Sequence, residues 1–115
     1  MIQKGSCHCA RVTFEVEGAP KRIVECNCSH CDRKGYLGWF VSHDKFRLLT
    51  DTAELGTYTF NKHRIKHHFC KTCGCAPFGF GEDRAGNYMA AINVRCLPEL
   101  DRSELEVVHV DGRRL

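Results

Sequence analysis

A chain of 115 residues, 43% of them apolar and with a formal net charge of +3, fits one domain, residues 1–115, with a real but thin core. It has no stretch near the ~18 consecutive apolar residues of a membrane span, and its N-terminal "MIQKGSCHCARVTFEVEG" has no apolar run to serve as a signal peptide; so small a charge also argues against a nucleic-acid surface. A soluble cytoplasmic protein is expected, and its anomaly is nine cysteines.

The elements are short. "ARVTFEV" alternates, placing Val12, Phe14 and Val16 on one face of a strand. "SHCDRKG" suggests a turn or two of helix, capped by Ser29 and ended by Gly35. "GWFVS" at 38–42 is an apolar strand in which Trp39 and Phe40 read as core. "LGTYTF" at 55–60 and "RIKHHF" at 64–69 form a hairpin around Asn61-Lys62. "YMAAINV" at 88–94 and "LEVVHV" at 105–110 are further strands, and "PELDRSEL" between them suggests a second short helix. Many short strands at this spacing predict an all-β domain with very little helix.

A cytoplasmic chain keeps its thiols reduced, so dense cysteines point to metal rather than disulfides. Nine is also odd. "FCKTCGCAPF" carries the clearest local signal. Cys70-x-x-Cys73 followed by Gly74 has the spacing of a zinc knuckle, two sulfurs on one tetrahedral ion. Cys7 and Cys9, spaced C-x-C, are its natural partners and would complete a structural site of four cysteines. "ECNCSHC" offers only three local ligands, Cys26, Cys28 and Cys31. Three protein ligands with an open fourth position mark a catalytic zinc, the open corner being reserved for substrate or water. The alternative is a second closed site, with Cys75 or Cys96 as fourth ligand. Seven thiolates on two Zn2+ ions would leave the loaded protein close to neutral.

At these residues the sequence resembles the glutathione-dependent formaldehyde-activating enzyme family, which also includes centromere protein V. The stretches that carry the resemblance are "GSCHCARVTFEV", "CNCSHCDRKGYLGWFV", "TYTFNKHRIKHHFCKTCG" and "INVRCL". The resemblance implies a mainly β fold, a β-tent of short antiparallel strands stapled by zinc. It implies a structural zinc at Cys7, Cys9, Cys70 and Cys73 and a catalytic zinc at Cys26, Cys28 and Cys31. It also implies a carbon–sulfur lyase activity that joins formaldehyde to glutathione as S-hydroxymethylglutathione. Two departures stand out: Cys75 and Ala76 replace an apolar residue and a His after the knuckle glycine, and the chain lacks the founding enzyme's longer C-terminal part.

Glutathione carries two carboxylates, so cations are expected near the site. Arg33 and Lys34, directly after Cys31, are the candidates for binding it. In "NKHRIKHH" one strand face would carry Lys62, Arg64, Lys66 and His68 as solvated charge. On the other, His67 reads as a core histidine. The alternative functions are a zinc-stabilised module that binds chromatin, nucleic acid or a protein partner, and a redox or metal-buffer protein using Cys75 and Cys96.

Overall fold

The structure, a computed structural model, describes residues 1–114. Its core starts from the alternation at 12–16: Phe14 and Val16, successive inward positions of one strand, are wholly buried, and so is Val12 just before that strand. That strand, β2 (Thr13–Glu17), is the middle of a three-stranded antiparallel sheet between β1 (Ile2–Ser6) and β5 (Phe46–Leu48). The second sheet has seven strands: β3 (Arg22–Cys26), β4 (Gly38–Ser42), β6 (Leu55–Tyr58), β7 (Lys66–Cys70), β8 (Phe78–Glu82), β9 (Tyr88–Asn93) and β10 (Glu106–Val110). Their order is β10-β3-β4-β9-β8-β7-β6. The fold is mainly β, and the α-helix among the described residues, α1 (Ser29–Lys34), lies between β3 and β4. Among the described residues, no helix is long and apolar enough to cross a membrane.

Three aromatic rings join the sheets. Phe14 stacks on Phe46 at 5.5 Å between centroids and meets Phe78 of the larger sheet edge-on at 5.2 Å; Phe46 lies 4.6 Å from Phe78. Gly5, opposite Phe14 in the β1–β2 ladder, is required by this ring, because a Cβ there would collide with it. Phe14→Ala removes the centre of the cluster. It is expected to destabilise the fold by about 3–5 kcal/mol, read as a fall in the denaturant midpoint at unchanged slope.

One ladder departs from the antiparallel pattern. β10 runs parallel to β3, pairing Glu106 with Arg22 and Val110 with Cys26. The residues after β10 therefore arrive beside the cysteines that follow β3. The chain also differs locally from expectation. Cys28, not Ser29, caps α1, its sulfur accepting the Cys31 N–H, while Gly35 (φ 68°) ends the helix as predicted. "PELDRSEL" is turn rather than helix, since Asp101 accepts hydrogen bonds from both the backbone N–H and the hydroxyl of Ser103. The hairpin forms, with Leu55 opposite Cys70 and Tyr58 opposite His67. Its loop is longer than expected: Asn61 (φ 57°) and His63 (φ 56°) both turn left-handed, and β7 begins only at Lys66.

Candidate metal centres and the adjoining cavities

The turn after β1 and the end of β7 bring Cys7, Cys9, Cys70 and Cys73 together, all four sulfurs within 4.8 Å of one another. Tight turns make both halves. Ala10 (φ 66°) donates its N–H to the Cys7 carbonyl, and Gly74 (φ 79°) donates to that of Cys70. A tetrahedral metal–sulfur shell at about 2.3 Å has sulfur–sulfur edges of about 3.8 Å. Cys7 and Cys9 lie 3.8 Å apart, and Cys9 and Cys70 3.6 Å. Backbone N–H groups of Val12 and Cys73 point at the sulfurs of Cys7 and Cys70, as they do toward thiolates. Four thiols this close cannot all ionise alone. Cys73 is drawn down to about 6 by the backbone N–H groups of Cys75 and Cys9. Cys9 is pushed up to about 11: the Arg11 N–H favours its thiolate, but desolvation and the neighbouring sulfurs outweigh it. A divalent cation resolves that conflict, so the donor set fits a metal.

The second cluster is local. β3 delivers Cys26 at its end, Cys28 caps α1, and Cys31 occupies the first turn. The three sulfurs lie within 4.8 Å of one another and are all half-buried. The Cys28 N–H points at the Cys26 sulfur (3.4 Å) and the Cys31 N–H at that of Cys28 (3.3 Å). Burial opposes a Cys28 thiolate, but the Cys31 N–H and sulfur outweigh it and lower its pKa. Desolvation, joined by the charge of Cys28, holds Cys31 up. Here too the thiols fit a cation.

Neither Cys75 nor Cys96 joins this group. Both are half-buried. Cys96 is pushed up to about 12 by desolvation first and then by Cys75, Cys7 and Cys73, which places it beside the four-cysteine cluster and favours its neutral thiol form.

Of two neighbouring cavities, one is lined by members of the three-cysteine cluster. This one, of about 340 Å³, is walled by Val24, Phe40, Ile65, Ile92 and Val110, with Cys26, Cys31, Tyr36 and His67 as polar neighbours. The other, of about 440 Å³, shares Tyr36 and His67 and adds His30, Lys34 and Tyr58. Between them the His30 and His67 rings lie 4.2 Å apart. Both nitrogens of His30 are buried without a hydrogen-bond partner. Desolvation, with the Lys34 charge, lowers the His30 pKa; desolvation, with His30 and His68, takes His67 to about 4. Both rings are therefore neutral near pH 7.

The family model for the glutathione-dependent formaldehyde-activating enzyme matches residues 2–108. The chain belongs to that family. Its fold is also similar to the crystal structure of a Rhodobacter sphaeroides protein, a structural-genomics target, at 28% identity and a TM-score of 0.78, over 91% of this chain and 99% of that one. The family ties the chain to chemistry of glutathione and formaldehyde, and the two cysteine clusters could hold its metal ions.

In this family member the predicted glutathione cations part company. Lys34 lines the larger cavity, its ammonium 5.9 Å from the Phe69 ring centroid, whereas Arg33 donates to the Ser29 carbonyl of its own helix and lines neither cavity. Phe40 is not core: it is 55% exposed and forms a cavity wall, because β4 turns it away from Val41. Trp39 does pack on the core. His68 is not solvated, for its ring packs against Phe80 (4.9 Å) and Phe78 (5.8 Å).

Sequence reasoning passed over His30, Tyr36 and the chain's last turn. His30 stood inside the "ECNCSHC" string itself, between two candidate ligands. The last turn, Gly112–Arg114, gave no local signal. It lies against Cys26 and Cys28 and is fastened there by Asn27, which donates to Asp111 (3.0 Å) and accepts from the backbone (3.2 Å) and side chain (2.8 Å) of Arg113. Gly112 has no room for a Cβ, which would strike the Cys26 sulfur and come within 2.9 Å of the Cys28 Cβ. Gly112→Ala is expected to lift this turn at a cost of about 1–3 kcal/mol. Metal should be bound more weakly at Cys26–Cys28–Cys31 alone, seen by competition with a chromogenic chelator. Unchanged affinity there would mean that the turn does not brace the site.

Proposed function

We propose that the chain makes and breaks a carbon–sulfur bond between a small thiol and an aldehyde, with zinc at both clusters. Cys7, Cys9, Cys70 and Cys73 hold the structural ion, and Cys26, Cys28 and Cys31 hold the catalytic one. One observation carries the reading: three thiols converge where the last turn covers one side and a cavity opens on another. Family membership supports glutathione and formaldehyde as the type reactants. Zinc held there supplies positive charge that lowers a substrate thiol's pKa and polarises a carbonyl.

The chain's own groups do the rest. The reaction adds RSH across C=O: sulfur bonds to carbon, the π pair moves to oxygen, and the thiol proton ends on that oxygen. Tyr36, whose pKa is raised to about 12, above all by desolvation, keeps its proton and can donate to the oxygen as charge develops. Neutral His67 accepts or donates a hydrogen bond without adding charge. Lys34 is the cation placed to meet a thiol's carboxylate. Clusters of reduced thiols suit the cytoplasm, and residues 1–115 are read as one functional unit.

Exchange spectroscopy on glutathione and formaldehyde with the zinc-loaded chain tests this directly. Cys26→Ser is expected to lose one zinc per chain and to slow exchange more than the ~10–100-fold cost of disturbing a ligand's outer partner. Unchanged zinc content and exchange would sink the proposal.

A further inference from the structure

The 340 Å³ cavity is poorly matched to formaldehyde. It has room for roughly ten waters, and a carbonyl with one carbon would leave most of it empty. It is equally poorly matched to glutathione, because no charged side chain lines it. Its one amide, Asn93, is already engaged: its Oδ1 accepts from Leu37 N (3.5 Å) and Arg95 N (3.2 Å), and its Nδ2 donates to the Ala76 carbonyl (3.2 Å). The remaining walls are hydrocarbon. The volume lies in the range of small-molecule sites, which pair apolar walls with a few polar groups that fix orientation. Here the polar groups are those of the reaction site: Cys26, Cys31, Tyr36 and His67.

Sheet order builds this arrangement. β3, β4, β9 and β8 are neighbours, and β10 is parallel to β3, so Val24, Phe40, Ala91, Gly79 and Val110 share the space. Ala91 pairs with Phe40 on one side and Gly79 on the other, and the two small residues keep the chamber open. Lys34 belongs instead to the neighbouring cavity, reached past Tyr36 and His67. The fold thus separates an apolar compartment, which reaches the three-cysteine cluster, from a cationic one, and the two meet at Tyr36 and His67.

Taking that cluster as the reaction centre, as proposed above, we infer that the chamber is a subsite for an aryl or short alkyl group. The aldehyde is then a hydrocarbon aldehyde, with its chain in the chamber and its carbonyl toward Tyr36. The thiol's anionic part lies along the Lys34 side. The bond changes are those of the simple thiol–aldehyde addition, with R–CHO in place of formaldehyde.

Straight-chain alcohols from propanol to hexanol, and benzyl alcohol, probe the chamber without needing turnover. Affinity for the zinc-loaded protein, followed by methyl NMR, should tighten roughly three- to fourfold per added methylene. The methyl signals of Val24, Ile92 and Val110 should move. Ala91→Phe should abolish the dependence on chain length at unchanged zinc content. Phe40→Glu, at the exposed wall and with no demand on the core, should weaken hexanol far more than propanol. In exchange assays kcat/KM should rise from formaldehyde to hexanal in parallel. Affinity that is flat with chain length, or shifts confined to other methyls, would overturn the subsite while leaving thiol–aldehyde chemistry standing. Alcohol binding that climbs as expected while no aldehyde turns over would keep the apolar subsite and overturn the lyase reading instead.

Discussion

Cys70→Ser is expected to lose one metal ion per chain and to unfold the protein. The reason lies in what the four-cysteine cluster joins. Cys7 and Cys9 follow β1 of the small sheet, and Cys70 ends β7 of the large one, so one ion would tie the two sheets across the 61-position separation of Cys9 and Cys70. Structural zinc contributes about 10–16 kcal/mol in small domains. The whole stability of a domain is about 5–15 kcal/mol. Loss of the ion therefore outweighs the aromatic contact of Phe14, Phe46 and Phe78, the other link between the sheets described above. Cys70 is also wholly buried, so a serine there puts a hydroxyl where a sulfur was and leaves three thiols crowded without their counter-charge. Circular dichroism and amide NMR dispersion should collapse together with the metal content. Cys75→Ser is the control: its sulfur lies outside the cluster, and both ions and fold should persist. A folded Cys70→Ser chain with undiminished metal would show that the cluster staples nothing.

What was legible in the chain follows from how local each signal is. β2, β4, β9 and β10 announce themselves, because alternating or continuous apolar residues need no partner to be read. β1 does not: "IQKGS" is polar, and its Gly5 makes sense only once Phe14 lies across it. β8, "FGFGE", hides behind glycines, and β5 is three residues long. The cysteine pairs were readable because each is made within a turn, by spacing alone. The cap of α1 was misplaced because Cys28 competes with Ser29 for the role and its sulfur is drawn to the Cys31 N–H. The apolar chamber was not readable at all. Its walls come from β3, β4, β8, β9 and β10, and only the sheet order and the parallel β10–β3 pairing bring them together. Phe40 was misassigned for the same reason. A phenylalanine in an apolar run reads as core unless the far side of its sheet is known to be a cavity.

The two clusters should also release their metal in two steps, and activity should follow the first. At the four-cysteine cluster two of the sulfurs, Cys7 and Cys70, are buried to 4% and 0% exposure. Cys9 is exposed, so this ion is held by its four ligands and by the two sheets they join rather than by being shut off from solvent. At Cys26, Cys28 and Cys31 all three sulfurs are half-buried and the ion would face a cavity. With one ligand fewer, this ion should be taken first. The ligands there come from one short segment, residues 26–31, so their release severs no link between sheets. At a free-metal level 100 to 1,000 times Kd, a bound ion stabilises by about 2.7–4.1 kcal/mol, which a folded domain can lose. Titration with a chelator of graded strength should thus yield a one-ion chain with native circular dichroism and thiol–aldehyde exchange reduced by more than ~100-fold, restored by adding zinc back. Two outcomes would be fatal in different ways. If both ions left together as the chain unfolded, the three-cysteine site would not be an independent, open centre. If the folded one-ion chain kept its exchange rate, the chemistry would have to be moved away from Cys26, Cys28 and Cys31.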